Sequence, residues 1–330
     1  MEVGLTEFVR ITDESSVGES RRAAVALGRR IGFDETRVGE LALLATEASR
    51  NVLLHGGGGQ IVVVGTLDGD QPLARILAID SGPGIADVTR AMDDGYSTGG
   101  TMGAGLGAMK RIATRFEIFT GAAGTIVMLE IGSNPAKCGL PIAGIVVPYP
   151  GERVCGDGWA CECFADRILV LLTDGLGHGW GASEAAQEAI GTFRRHTEKS
   201  PGAVLGFVHD ALRKTRGAVA AVAEIRPGEG KLLYAGVGNI SAVLIQGSGS
   251  RSLMSHNGTL GTAVPRIQEL QFDWPAKGIL VLHSDGVQTR WDLASYAGLG
   301  TRHPAVIAAA LLRDFRRERD DASVVVIKGL

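Results

Sequence analysis

The residues of this chain that could do chemistry fall into two sets. In the first third, Glu47 and Asn51 stand four apart, Asp80 precedes Gly82 and Gly84, and a second glycine cluster follows at Gly99, Gly100, Gly103, Gly105 and Gly107. Side chains four apart on a helix project from the same face. Phosphoryl transfer from ATP needs a carboxylate to position or deprotonate the attacking hydroxyl, and an oxygen ligand for Mg²⁺ beside the phosphates. Glu47 and Asn51 can supply one each. Asp80 stands where a carboxylate can accept from an adenine amino group, and Gly82 and Gly84 let the backbone pass close to a base. The second cluster suits closure over phosphates, aided by the positive end of the helix that follows.

The second set is spread over the C-terminal half. Two apolar runs each end in Asp-Gly, at Asp174-Gly175 and Asp285-Gly286. Asp157 sits in Cys155-Gly-Asp-Gly158, and Asp320-Asp321 precedes the last apolar run. Carboxylates at strand ends, each next to a glycine or turn, suit a hard-metal site built from oxygen ligands. Two such ions can lower the pKa of a shared water and aim it at phosphorus. Cys155, Cys161 and Cys163 have C-x₅-C-x-C spacing, which fits no usual structural zinc pattern, and they read as small, partly buried residues.

The elements that must position these residues follow from periodicity. A helical pattern runs from Ser20 to Ile31. Asp34 is the expected N-cap of a second helix reaching about Leu54, with Leu41, Leu44 and Ala48 at helical spacing. Two strands, Ile61–Leu67 and Leu73–Ile79, flank an Asp68-Gly-Asp70 turn. A helix is expected over Ala104–Ala113, then a strand pair, Phe116–Phe119 and Thr125–Ile131. Between Gly132 and Pro141 the stretch GSNPAKCGLP loses periodicity, which sets the expected boundaries at 1–134, a linker at 135–141, and 142–330. Beyond it come short strands at Ile142–Val147, Ile168–Thr173, Val219–Ile225, Lys231–Ala235, Ser241–Ile245, Ile279–His283 and Ser323–Ile327. Helical stretches at Ala182–His196, Pro201–Thr215 and around His303–Arg319 interrupt them. This mixture predicts an α+β chain: an α/β sandwich, then a β-sandwich covered by helices.

Composition bounds the function. A chain of 330 residues is expected to hold about two domains. A net charge of −3 provides no basic field, so nucleic acid is not expected as a partner. No apolar run approaches the ~18 residues of a membrane helix, and no signal-peptide pattern opens the chain. Four cysteines in this length argue for a reducing compartment, and a cytoplasmic location is expected.

The motifs EASRNVLLHGGGG, DSGPGI, AMDDGYSTGG and GTMGAGLGAMKR resemble the GHKL ATP-binding superfamily, and within it the RsbT-like switch serine kinases of bacterial partner switching. The resemblance covers about residues 5–132. It implies a Bergerat-type sandwich with Glu47 as catalytic base, Asn51 as Mg²⁺ ligand and Asp80, Gly82 and Gly84 at the adenine. It also implies a lid at Gly103, Gly105 and Gly107, and Thr125 near the base. The implied substrate is a serine on a small STAS-domain antagonist protein.

GERVCGDGWA, LLTDGLGHG, YAGVGNISAVL, HSDGV and DDASVVVIK, over residues 142–328, resemble PPM-type metal-dependent serine phosphatases of the SpoIIE and RsbX branch. That likeness implies an α-β-β-α sandwich. It also implies two Mn²⁺ or Mg²⁺ ions held by Asp157, Asp174, Gly175 through its carbonyl, Asp285 and Asp320. Asp321 is an alternative to Asp320. Larger members place a histidine directly after the first Asp-Gly, where this chain has Leu176, and His178 follows two residues later. His178 is therefore read either as a residue near the site or as a structural histidine. Arg153 and the Lys110-Arg111 pair are read as surface residues or phosphate contacts. Together the two halves predict a bifunctional kinase and phosphatase acting on a STAS-domain antagonist, with a further phosphatase or sigma-factor regulator downstream. The alternative is a phosphatase gated by an ATP-sensing or partner-binding module without kinase turnover.

Overall fold

The computed structural model describes residues 5–68, 71–92, 105–132, 139–264 and 266–330. Its internal contacts divide the chain into two compact units, one over Leu5–Asn134 and the other over Pro135–Leu330.

The first unit is a five-stranded antiparallel sheet with helices on one face. β1 (Leu5–Ile11), β2 (Gly59–Asp68), β3 (Gln71–Asp80), β4 (Arg115–Gly121) and β5 (Gly124–Ile131) lie in the order β1-β2-β3-β5-β4. β1, a strand the apolar-run reading had not marked, pairs with β2 from Leu5↔Gly65 to Ile11↔Gly59. α1 (Glu14–Arg30) begins six residues before the expected Ser20, because Asp13 and Ser16 close a reciprocal cap. The Asp13 side chain accepts from the Ser16 N–H, and Ser16 Oγ accepts from the Asp13 N–H. α2 (Glu35–Gly56) starts where Asp34 accepts from the Arg37 N–H at 2.8 Å, and it ends on Gly57 in the left-handed region at φ 69°. Leu27, Ile31, Leu41, Leu44, Ala48 and Val52 of these helices pack on Ile61, Val63, Ile76 and Leu129 of the sheet. Two short helices follow β3, α3 (Val88–Ala91) and α4 (Leu106–Ile112).

The glycine run after α2 puts the end of that helix beside the end of β3. Gly59 is the register partner of Asp80, and a Cβ on Gly59 would lie 2.3 Å from the Ile79 carbonyl oxygen. No side chain fits there.

The second unit is two five-stranded antiparallel sheets packed face to face, with helices outside. The strands are β6 (Ile142–Val147), β7 (Asp157–Cys163), β8 (Ile168–Gly175), β9 (Ala218–Arg226), β10 (Lys231–Val237), β11 (Ser241–Gln246), β12 (Gly249–Leu253), β13 (Leu270–Asp273), β14 (Ile279–His283) and β15 (Ala322–Lys328). One sheet runs β13-β10-β9-β8-β7 and the other β12-β11-β14-β15-β6. Trp159, Leu172, Tyr234, Leu282 and Val325 fill the space between them. Gly144 on β6 makes room for the Trp159 indole, which would lie 2.3 Å from a Cβ there. α5 (Trp180–Arg195) and α6 (Pro201–Ala211) cover the first sheet through Ala189, Phe193, Leu205 and Val208. α7 (Pro304–Phe315) lies on β15 and β6.

α6 and α7 end earlier than their apolar patterns suggested: α6 gives way to a 3₁₀ turn at Leu212–Lys214, and Arg316 is already extended. Leu140, read as linker, is buried in the inter-sheet core, and the Pro141 carbonyl accepts from the Lys328 N–H. Residues 135–138 of that stretch lie outside the described residues. No described helix is long and apolar enough to cross a membrane.

Candidate active sites

The first unit carries its expected residues on α2, at the end of β3 and in the turns that follow. Glu47 and Asn51 sit one turn apart on α2. Glu47 is only 8% exposed, and its Oε1 is 3.3 Å from the Arg50 guanidinium. Asp80 closes β3, and its Oδ1 accepts from two backbone N–H groups, Gly82 at 2.9 Å and Thr125 at 3.1 Å. Its second oxygen remains available to a donor from outside. Three glycines make this possible sterically. A Cβ on Gly56 would be 2.5 Å from Asp80 Cβ, one on Gly82 would be 2.9 Å from Gly56 Cα, and one on Gly84, which has φ 78°, would be 2.4 Å from the Gly121 carbonyl oxygen. Thr125 is buried, and its hydroxyl meets that of Thr120 at 3.0 Å. Thr120 in turn accepts from the Ile85 N–H, which ties the DSGPGI turn to β4. Gly105 is the N-cap of α4, with no side-chain cap, and Gly107 lies in its first turn. Gly103, Gly99 and Gly100 lie outside the described residues. Lys110 and Arg111 are exposed in the last turn of α4.

In the second unit, each sheet delivers acidic groups to the same site. Asp157 and Asp174 are direct register partners at the start of β7 and near the end of β8, joined by a Gly175 N–H to Gly156 carbonyl bond of 3.0 Å. Asp285 follows β14, and Asp320-Asp321 leads into β15, its register neighbour. The glycines after the ligand candidates are sterically required. A Cβ on Gly175 would be 2.1 Å from the Ala182 carbonyl oxygen, and one on Gly286 would be 1.8 Å from that of Asp321.

Electrostatics binds these carboxylates into one group. Burial pushes Asp174 up to about 9, and the charges of Asp157, Asp285, Asp320 and Asp321 add to the shift. Burial likewise raises Asp157 to about 7. The neighbouring Ser284 and Ser323 hydroxyls act in the opposite direction, and the Asp321 and Asp285 charges reinforce the rise. Asp320 is raised by burial and then by Asp285. The Cys155 thiol is pushed well up by burial, then by Asp157 and Asp321. Carboxyl groups held this close raise one another's pKa values and favour a cation among them.

The donor set fits a hard divalent cation. Every candidate ligand is an oxygen, and Asp157, which is 3% exposed, has the Ser284 and Ser323 hydroxyls beside it but no donor in good hydrogen-bonding geometry on either oxygen. Among the described residues no group of three or more His, Cys, Asp or Glu side chains is arranged to hold a metal ion as the side chains stand.

Asp320 and Asp321 differ in their hydrogen-bond partners. Asp321 is buried and spends both oxygens on the backbone, accepting from the Tyr149 N–H at 2.7 Å and the Gly156 N–H at 3.0 Å. It fastens the second sheet's last strand to the chain entering β7. Asp320 accepts only the Asp321 N–H, leaving a coordinating oxygen.

Three further residues take part that motif reading had not assigned. Asn239, in the turn between β10 and β11, donates to Asp285 Oδ2 at 2.6 Å. Glu152 and Tyr149 hold His178: Nδ1 is 3.0 Å from Glu152 Oε1, and the ring stacks on Tyr149 at 4.4 Å and 12°. Asn239 stood inside the quoted YAGVGNISAVL piece. Glu152 stood inside the quoted GERVCGDGWA piece, and Tyr149 carried no local signal. Arg153 is exposed. Cys161 and Cys163 share one face of β7 with sulfurs 3.8 Å apart, and Cys161 is completely buried in the core.

Comparison with known proteins assigns both halves. Residues 165–329 match the family described as stage II sporulation protein E (SpoIIE), and residues 11–131 match the histidine kinase-like ATPase domain. The chain is 34% identical over 110 residues to the serine/threonine-protein kinase RsbT of Bacillus subtilis (strain 168), covering 33% of this chain and 83% of that protein. It is 24% identical over 99 residues to the phosphoserine phosphatase RsbX of the same organism, covering 30% of this chain and half the length of that protein. Among solved structures, a chain from the bacterial stressosome, a modular system adapted to control secondary messenger signaling, aligns with TM-score 0.54 and 27% identity over 57% of this chain and 99% of its own. RsbX in complex with magnesium aligns with TM-score 0.52 and 17% identity over 65% of this chain and 99% of its own, a likeness of fold. The chain thus belongs to the SpoIIE family through its C-terminal half and carries, ahead of it, an RsbT-like domain of the histidine kinase-like ATPases.

Proposed function

We propose that this chain is a bifunctional protein serine kinase and phosphoserine phosphatase that reversibly phosphorylates a STAS-domain antagonist in a partner-switching pathway. The observation that carries the reading is the coexistence, in one chain, of two separately built sites. One is an aspartate held by backbone amides beside a helix bearing Glu47 and Asn51. The other is a carboxylate group whose buried member has no donor in good hydrogen-bonding geometry.

In the first unit, Asp80 Oδ2 accepts from the adenine amino group while Gly82 and Gly84 keep the backbone clear of the base. Asn51 would hold Mg²⁺, which would neutralise phosphate charge, and Gly105 and Gly107 would stand at the phosphates; Gly103, which the resemblance adds to the lid, lies outside the described residues. Thr125 holds Asp80 from the base side. Glu47 takes the proton of the attacking serine hydroxyl, which requires its carboxylate to leave Arg50.

In the second unit, Asp157, Asp174, Asp285 and Asp320, with the Gly175 carbonyl, would hold two Mn²⁺ or Mg²⁺ ions, which supply an acidified water and neutralise phosphoryl charge. The chain's own part is geometric. The β7/β8 pairing sets Asp157 opposite Asp174, Asn239 orients Asp285, and Asp321 locks the two sheets together at the site.

The kinase half is tested by incubating an Asp157→Ala variant, which on this reading cannot erase its own product, with labelled ATP, Mg²⁺ and each STAS-domain protein of the same genome. Label on the partner is expected, and its absence removes the kinase from the reading.

One observation favours a second reading, in which the first unit senses ATP and gates the phosphatase. The candidate base Glu47 is already ion-paired to Arg50. A phosphatase rate that still responds to ATP in Glu47→Ala, with no phosphate transfer by the unmodified chain, selects it.

A further inference from the structure

The face of α2 that carries Glu47 is more exposed and more apolar than one wall of a nucleotide pocket needs to be. Leu43, Glu47, Arg50 and Leu54 are spaced four, three and four apart. At 100° per residue they fall within about 60° of one another, as a single stripe along ~16 Å of helix axis. Leu41, Leu44, Ala48 and Val52 face the core instead. Leu43 is 43% exposed and Leu54 56%, and the Arg50 side chain is half exposed, whereas the Glu47 side chain between them is nearly buried. A single exposed leucine needs no explanation. These two stand on either side of the candidate base, on the surface over which an incoming serine must reach it.

Arg50 is the charged member of the stripe. The other arginine of α2, Arg37, is paired with Glu40 at 3.1 Å. Arg50 meets only Glu47, through one nitrogen at 3.3 Å, and among the described residues Glu47 has no other hydrogen-bond partner. A half-exposed pair of this spacing is weak. A guanidinium that meets a carboxylate with two parallel bonds is held more strongly and in a fixed orientation. A carboxylate arriving from outside can therefore draw Arg50 away from Glu47, which frees the Glu47 oxygen for the serine hydroxyl.

The spacing says where that carboxylate stands. Residues three apart on a helix have Cβ atoms about 5–6 Å apart, and neighbouring residues of a chain are about 3.8 Å apart at Cα. A serine that reaches Glu47 thus brings a residue one or two positions away from it to Arg50.

We propose that the stripe of Leu43, Arg50 and Leu54 is the docking surface for the protein whose serine is phosphorylated, and that Arg50 sets its specificity by pairing with an acidic residue one or two positions from that serine. The proposal rests on the kinase reading above. The two leucines cover apolar side chains on either side of the acidic residue. Arg50 exchanges one ion-pair partner for another, and no covalent bond changes in that exchange.

The test uses the full chain carrying Asp157→Ala, with labelled ATP, Mg²⁺ and each STAS-domain protein of the same genome, and the labelled serine is mapped by mass spectrometry. An Asp or Glu is expected one or two positions from it. Arg50→Gln should lower kcat/KM for the labelled protein by ~10–100-fold, the scale of losing a charged anchor of an interface, with the nucleotide Kd unchanged. Arg50→Lys should recover part of that loss, because it keeps the charge without the fork. Neutralising the partner's acidic residue should cost the Arg50 chain the same factor and cost nothing further in the Arg50→Gln chain. Leu43→Ser and Leu54→Ser should each raise KM for the protein by ~3–10-fold and leave KM for ATP and the thermal midpoint unchanged, since both leucines are already exposed. A mapped serine with no acidic neighbour, additive losses in the double variant, or an Arg50→Gln rate within about twofold of the starting chain overturns the proposal. If no protein is labelled at all, the kinase reading itself fails and the proposal falls with it.

Discussion

Asp80 and Asp157 both stand at strand ends beside glycines, yet their surroundings are opposite. Asp80 has one oxygen fixed by two backbone amides, and the glycines around it leave a shaped opening. Asp157 is almost fully buried with no donor in good hydrogen-bonding geometry on either oxygen, among four other carboxyl groups. The first site has its carboxylate fixed by the protein's own amides, which suits recognition by shape and donor pattern. The second concentrates negative charge, which favours cations. A kinase pocket of this kind needs a rigid place for a neutral base, and a two-ion hydrolase needs concentrated negative charge. The contrast follows the chemistry proposed for each.

The largest way to break the comparison is Asp157→Asn. Phosphatase turnover should fall by about a thousandfold, the scale of removing a preorganised electrostatic group, while nucleotide binding stays unchanged. Turnover within tenfold of the unmodified chain would mean that Asp157 is merely a buried acid.

Asp80→Asn is the counterpart in the first unit. It weakens the two amide bonds and the outward acceptor, costing about 1.5–3 kcal/mol, or ~10–150-fold in nucleotide Kd by fluorescence titration. Phosphatase activity on a nitrophenyl ester should not move. Gly56→Ala tests whether the first site really is set by shape. Its Cβ would sit 2.5 Å from that of Asp80, so a loss of about 1–3 kcal/mol in unfolding free energy and weaker nucleotide binding are expected. An unchanged Kd would show that the opening adapts.

The smallest effect is in pH and metal. Asp157 and Asp174 have folded-state pKa values raised to about 7 and about 9. In metal-stripped protein the folded form therefore holds protons that the unfolded form has released. Their stabilisation is fully present below the ordinary carboxylate pKa and is lost as pH rises through about 7 to 9. The second unit's thermal midpoint should drop from pH 5 to pH 9 without metal. Mn²⁺ should reverse this and release protons on binding, which calorimetry in buffers of different ionisation heat will detect. A midpoint that rises with pH in metal-stripped protein contradicts the description of a site that concentrates negative charge.

How much of this was legible in the sequence differs by element. Asp174-Gly175 and Asp285-Gly286 were readable because an apolar run ending in Asp-Gly is a local pattern, and β8 and β14 are buried on both faces. α2 was readable from Asp34 and the glycine run. The edge strand β12 was missed because GSRSL exposes four of its five residues, and β13 because LQFD is only four residues long and none of them is buried. β7 was missed because Asp157-Gly158 and the paired cysteines look like a turn or a metal motif. α1 was shortened because its cap pairs Asp13 with a serine instead of the usual Glu or Gln at the third helical position. The duty of Asp321 rests on Tyr149 and Gly156, which are 172 and 165 positions away. The orientation of His178 rests on Glu152, 26 positions away. Only the fold brings such partners together.

The claim that one chain both writes and erases phosphate is tested most directly by mapping phosphoserine on the STAS partner by mass spectrometry, with each site inactivated in turn. Asp157→Ala with ATP and Mg²⁺ should place phosphate on one serine, and Glu47→Ala with Mn²⁺ should remove it from that same serine. Phosphate that never accumulates with the first variant, or that the second leaves untouched, contradicts the account.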